Sequence, residues 1–184
     1  MTKFMSILYK PLPAMPILAI MYLDETILQK AIESLTKKLD WQLPDEHSEP
    51  YIFSEFSHYY DEEMCCDRII KQLFAFPFLV ERDSLIEIKK RAVQVENDFV
   101  TVSNHRQINI DPGLLSRENL VLATGKNFTH RIYLGQGVFA DLTLIYTKGK
   151  FQKLPWTYRD YMSEQVQRFL LKQRKRYDDS VSSI

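Results

Sequence analysis

Residues 17–39, ILAIMYLDETILQKAIESLTKKL, decide the fold class. The first seven are a continuous apolar run, short enough to read as a buried strand. Asp24 stands at a helix N-cap position, and Glu25 suits the positive end of the helix dipole. Leu28, Ala31, Ile32, Leu35 and Leu39 then recur at helical spacing, which predicts an amphipathic helix ending near Asp40. The chain therefore opens as strand then helix.

The same unit returns further on. Residues 69–76 (IIKQLFAF) read as a second strand, which Pro77 stops. Asp83 or Ser84 then caps a helix with Leu85, Ile88, Ala92, Val95 and Phe99 as its inward stripe. Glu87, Lys89, Lys90, Arg91 and Glu96 make its outer face, expected to be solvated. Between the two units, residues 41–50 read as a polar loop and residues 51–56 (YIFSEF) as a short strand. The acidic cluster Asp61, Glu62 and Glu63 forms a helical turn or a solvent-facing loop. With residues 107–110 as a closing strand, the order is β-α-β-β-α-β, the ferredoxin-like arrangement. Helices 25–39 and 84–99 are then expected on one face of the sheet. A parallel α/β three-layer sandwich is the alternative.

Beyond residue 110 the pattern turns to strands, and all five glycines lie there. Asp111-Pro112-Gly113 reads as a tight turn ending the closing strand. Residues 120–124 and 131–134 are two further strands. Val138, Ala140, Leu142, Leu144 and Tyr146 alternate with Phe139, Asp141, Thr143 and Ile145, so the first set is expected to face the core. Lys148-Gly149 turns the chain back into residues 151–154, completing a β-hairpin. Residues 160–177 form a closing helix whose basic end carries Arg168, Lys172, Arg174, Lys175 and Arg176, and residues 178–184 are expected to fray. The whole reading is one α+β domain over residues 1–184: a ferredoxin-like core extended by a C-terminal hairpin and a closing helix.

Composition excludes several classes. Lys plus Arg equals 24 and Asp plus Glu equals 24, which argues against nucleic-acid binding by bulk charge. The two cysteines, Cys65 and Cys66, are adjacent, giving neither a disulfide framework nor zinc spacing. That pattern fits a reducing, cytoplasmic setting. The N-terminal apolar residues are interrupted by Lys10, Pro11, Pro13 and Pro16, so no export signal and no membrane anchor are expected.

No Walker-type loop, GxGxxG, HExxH or GxSxG is present. The candidate site is the segment GKNFTHR at residues 125–131. Lys126 and Arg131 suit an anionic, phosphate- or nucleotide-like ligand, and His130 can move a proton near neutral pH. Asp111 or Asp141 would orient the imidazole or hold a divalent metal. The competing reading is a scaffold or interaction protein in which the same groups form a structural polar network.

The segments HYYDEEM (58–64), NIDPG (109–113), LATGK (122–126), THRIYLGQG (129–137), ADLTL (140–144) and LPWTYRDY (154–161) carry a resemblance. In content and order they resemble a family of bacterial and archaeal proteins, domain of unknown function family 4416. The resemblance implies a stand-alone domain without an established activity. It points to Tyr60, Glu63, Trp156 and Tyr161, and adds Tyr133 and Tyr158 as ligand-binding candidates. Leu114, Gly125, Asp141 and Arg159 depart from the family pattern, which has an aromatic residue, a polar residue, Glu and Pro there.

Overall fold

A computed structural model describes residues 8–182. The first residues of the N-terminal apolar stretch and the last two of the tail lie outside them. Strand β1 (Met15–Tyr22) leads through Asp24 into helix α1 (Glu25–Leu39). The Asp24 carboxylate accepts from Thr26 N at 2.8 Å and Ile27 N at 3.3 Å, the expected N-cap. Two short strands follow, β2 (Glu46–His47) and β3 (Tyr51–Ile52). Strand YIFSEF was expected to continue; instead a 3-10 turn begins at Phe53, burying Phe53 and Ser54. Helix α2 (Asp61–Met64) is a single turn, and β4 (Ile70–Ala75) follows.

Helix α3 (Leu85–Asp98) is entered from a 3-10 turn at Arg82–Ser84. Neither expected residue caps it by its side chain; the Ser84 hydroxyl donates backwards to the Glu81 carbonyl at 2.6 Å. The remaining elements are β5 (Ile108–Leu115), β6 (Asn119–Thr124), β7 (Arg131–Gly135), β8 (Val138–Thr147), β9 (Lys150–Lys153) and α4 (Glu164–Val181). A 3-10 turn, Arg159–Met162, precedes α4. The helix runs past Tyr177, where it was expected to stop. Val181 is buried in the core and Asp178 pairs with Arg117 and Arg174, which holds this last turn in place.

The strands form one sheet in the order β2-β4-β1-β5-β6-β8-β7, with β3 on β4 and β9 on β8. Every pairing among the described residues is antiparallel, which sets aside the parallel alternative. Leu18, Ile20 and Tyr22 of β1 pack with Leu28, Ala31, Ile32 and Leu35 of α1 and with Ala92 and Val95 of α3. Both helices thus share a face. Met15, Ile17 and Ala19, alternating with that set, pack on Val166, Phe169, Leu170 and Tyr177 of α4. The sheet is covered on both sides, so β1 is buried at all eight positions.

Two strand expectations are corrected. Asp111-Pro112-Gly113 is not a turn but the middle of β5, paired to Ala19, Leu18 and Ile17. The special feature of Gly113 is close approach: a Cβ there would lie 2.5 Å from the Leu122 side chain and 2.7 Å from the Val121 carbonyl. Strand β8 carries a bulge. Leu120 pairs with Leu144 but Val121 with Leu142, so Thr143 is the extra residue. The bulge reverses the alternation. Val138 packs towards α3, whereas Leu144 and Tyr146 join the α4 side, the side that Asp141 also faces.

Candidate functional site

Strands β5 and β6 pair only at Gly113–Leu122, Leu114–Val121 and Leu115–Leu120. Beyond Gly113 they separate. Pro112, the next residue along β5, has no N–H with which to extend a ladder. Between the diverging strands lies a cleft with two compartments. The outer one, about 280 Å³, is lined by Lys89, Glu96, Arg106, Asn109, Lys126 and Tyr59. The inner one, about 50 Å³, is lined by Lys71, Leu122, Asp141, Thr143, Trp156 and Tyr161. Tyr60, Asp111, Thr124, Arg131 and Tyr158 line both.

Asp111 stands between the compartments. Its carboxylate accepts from Asn109 Nδ2 at 2.9 Å and faces Lys89 Nζ at 3.3 Å. Lys89 also donates to the Ile110 carbonyl at 2.7 Å and lies 3.7 Å from Glu96. Glu96 accepts from Ile110 N at 2.6 Å. Lys89 and Glu96 are therefore not the solvated face expected of them: both are buried. They come from the charged side of α3, but β5 has no neighbouring strand there among the described residues, and the two side chains satisfy its free edge at Ile110. Burial raises the Glu96 carboxyl above its ordinary range, with Lys89 and the Ile110 N–H acting against it.

Asp141, on β8, accepts from Arg131 Nε at 3.0 Å and His130 Nε2 at 3.1 Å, both on the same oxygen. Arg131 pairs directly across the ladder from Asp141, and its second arm donates to the Lys126 carbonyl at 3.0 Å. His130 is packed behind this pair, stacked on Trp156 with ring centroids 4.7 Å apart and planes 7° from parallel. It lines neither compartment and touches Asp111 nowhere. Lys126 meets Glu63 at 3.2 Å and lies over the rings of Tyr59 and Tyr60. Glu63 also takes Arg106 at 3.1 Å.

Of the residues marked in the sequence, Asp111, Asp141, Lys126, Arg131 and Tyr158 come together here. Tyr133 does not: it is exposed on β7, against Phe139, with its hydroxyl accepting from Gly137 N. Asp111 and Asp141 both face the inner compartment, but no group of three or more His, Cys, Asp or Glu among the described residues is placed to hold a metal ion. The sequence reading missed Lys89, Glu96, Arg106, Asn109 and Lys71. A lysine and a glutamate seven apart on one helix, each flanked by apolar stripe residues, were the only available signal.

Beneath the inner compartment lies a buried ion pair. Lys71 Nζ meets Asp160 Oδ2 at 2.6 Å, and Tyr51 donates to the same oxygen at 2.7 Å. Lys71 also sits 4.3 Å from the Tyr161 ring centroid. Burial pushes the phenols of Tyr60 and Tyr161 up, and that of Tyr158 up to about 12, so all three are protonated donors at neutral pH.

An antiparallel α+β sheet that opens between two strands into a polar, tyrosine-walled cleft is thus the class of protein in hand. Residues 13–177 match the family described as Domain of unknown function (DUF4416), and the chain belongs to that family. No curated protein matches the chain, and no solved structure does. No helix among the described residues is long and apolar enough to cross a membrane.

Proposed function

We propose that the outer compartment binds a small anionic molecule, phosphate- or nucleotide-like. One observation carries the reading: Lys126 and Arg131 open onto the same cavity, whose walls hold four cations, Lys89, Arg106, Lys126 and Arg131, against two carboxylates, Glu96 and Asp111. Each of these cations is paired, to Glu63, Asp141, Glu96 or Asp111, so the wall offers an anion converging N–H donors rather than surplus charge. Tyr59, Tyr60 and Tyr158 offer flat faces on which a planar ring can stack. In this reading His130 is a positioning residue, acting on the ligand through Asp141. Asp111 is the group best placed to take or give a proton at the ligand. The strand order β2-β4-β1-β5 supports a ferredoxin-like first half within a single domain, and the two free cysteines suit a cytoplasmic protein.

A thermal-shift screen with inorganic phosphate and nucleoside phosphates tests this. A phosphate compound should raise the melting temperature of the wild type, and Lys126→Ala should weaken that shift about tenfold in ligand concentration. Lys126 is half exposed, so the substitution itself should change stability by less than about 1 kcal/mol. The scaffold reading is favoured by a different observation, that Lys126 and Arg106 already share Glu63 and Arg131 already holds Asp141. It wins if no phosphate compound shifts the wild type at millimolar concentration.

A further inference from the structure

We propose that the inner compartment is a subsite for a neutral, hydroxyl-bearing group, so that the ligand is a phosphorylated sugar or polyol lying with its phosphate outside and its hydroxyls within. The inference rests on the anion-binding reading of the outer compartment. Its own evidence is Tyr161. The hydroxyl of this residue is buried and has no hydrogen-bond partner among the described residues. Native proteins rarely leave a buried donor unmatched, because doing so is destabilising. Tyr161 is held rigidly, on the 3-10 turn before α4 and under the Lys71–Asp160 pair. Tyr161 lines the inner compartment together with the two carboxylates Asp111 and Asp141.

The acceptors opposite are only half used. Asp141 spends one oxygen on Arg131 and His130, and the other has, among the described residues, only the long hydrogen bond from Thr143 Oγ1 at 3.5 Å. Asp111 takes one donor on each oxygen, and each carboxylate oxygen has two lone pairs. Both carboxylates are already matched by cations, so an ammonium group would gain little there, and the inner wall's own cations, Lys71 and Arg131, are held by Asp160 and Asp141, which leaves fewer donors for a phosphate than the outer wall has. A hydroxyl fits, since it donates to a carboxylate and accepts from a phenol. At about 50 Å³ the compartment takes a fragment of a few non-hydrogen atoms and excludes a purine. Five residues line both compartments, so the two adjoin, and a ligand in the outer one lies next to the inner.

Titration calorimetry with ribose 5-phosphate and with inorganic phosphate, on the wild type and on Tyr161→Phe, tests the assignment. The wild type should bind ribose 5-phosphate about tenfold more tightly than inorganic phosphate. Tyr161→Phe should remove most of that preference while leaving inorganic phosphate binding unchanged. Its melting temperature should equal or exceed that of the wild type, because the lost hydroxyl had no partner within the protein. Equal affinity for the two compounds in the wild type overturns the inner subsite, which then holds water alone, and leaves the outer anion site standing. Binding of neither compound overturns both. A lowered melting temperature with undiminished preference for ribose 5-phosphate makes the hydroxyl structural and also overturns the assignment.

Discussion

At the scale of single residues, the cleft is built from charges that ordinarily stay in water. Glu96 shows what this costs and how pH exposes it. Its folded carboxyl binds a proton more tightly than the unfolded one, chiefly through burial. The stability this group contributes is therefore fully present below its ordinary value of 4.5 and lost as pH rises through the raised folded value. Glu96→Gln carries no such proton. Its stability deficit relative to the wild type should shrink between about pH 4 and about pH 8, read from urea midpoints at the two pH values. A deficit that widens over that interval would mean that Lys89 holds Glu96 ionised more strongly than burial opposes it. This pair was hidden in the sequence because Lys89 and Glu96 sit among Glu87, Lys90 and Arg91, whose charges are exposed or paired at the surface. Composition and spacing do not distinguish a charge facing solvent from one turned along a strand edge. Asp111, Lys126, Arg131 and Asp141 were legible because unlike charges flanked predicted strands; the position of His130 behind Asp141, rather than on the cleft wall, was not.

At the scale of elements, the cleft depends on where two strands stop touching. Gly113 lies at that point, pressed against Leu122 and the Val121 backbone. Gly113→Ala should destabilise the protein by about 1–3 kcal/mol, as overpacking does when one of the crowding atoms is backbone. Guanidinium denaturation measures it; an unchanged midpoint would mean that β6 can retreat without loss. Period-two and period-3.6 patterns located β1, α1, β4, α3, β6, β8 and α4, because each buries one clear stripe or run. They failed where the backbone departs from its own period. The bulge at Thr143 moves Leu144 to the face opposite Leu142, and nothing in the alternation of residues 138–146 announces it. Likewise Asp-Pro-Gly is turn chemistry by composition, yet here pairing with β1 keeps all three residues extended.

At the scale of the molecule, burial is graded across the sheet. Strand β1 is paired on both sides and wholly buried, whereas β7 has one partner among the described residues and exposes Ile132, Tyr133 and Leu134. Amide hydrogens of β1 should exchange only through global unfolding, and those of β7 through local opening, by orders of magnitude faster. Equal protection of β7 in hydrogen-exchange measurements would show its free edge to be covered in solution. The whole-molecule arrangement was partly legible: the order of strands and helices in the first half follows from the sequence, but the splaying of β5 from β6 is a long-range event with no local signature. The chain has two tryptophans, and the fold sends them to opposite sides of the sheet. Trp41 is clasped by Phe76 and Phe78, at 5.1 Å from each, in the layer of α1 and α3. Trp156 forms a wall of the inner compartment, with His130 stacked on it. The protein thereby carries its own optical gauge: Trp156 emission senses whatever enters the cleft, while Trp41, shielded from it by the full thickness of the sheet, supplies a constant internal standard.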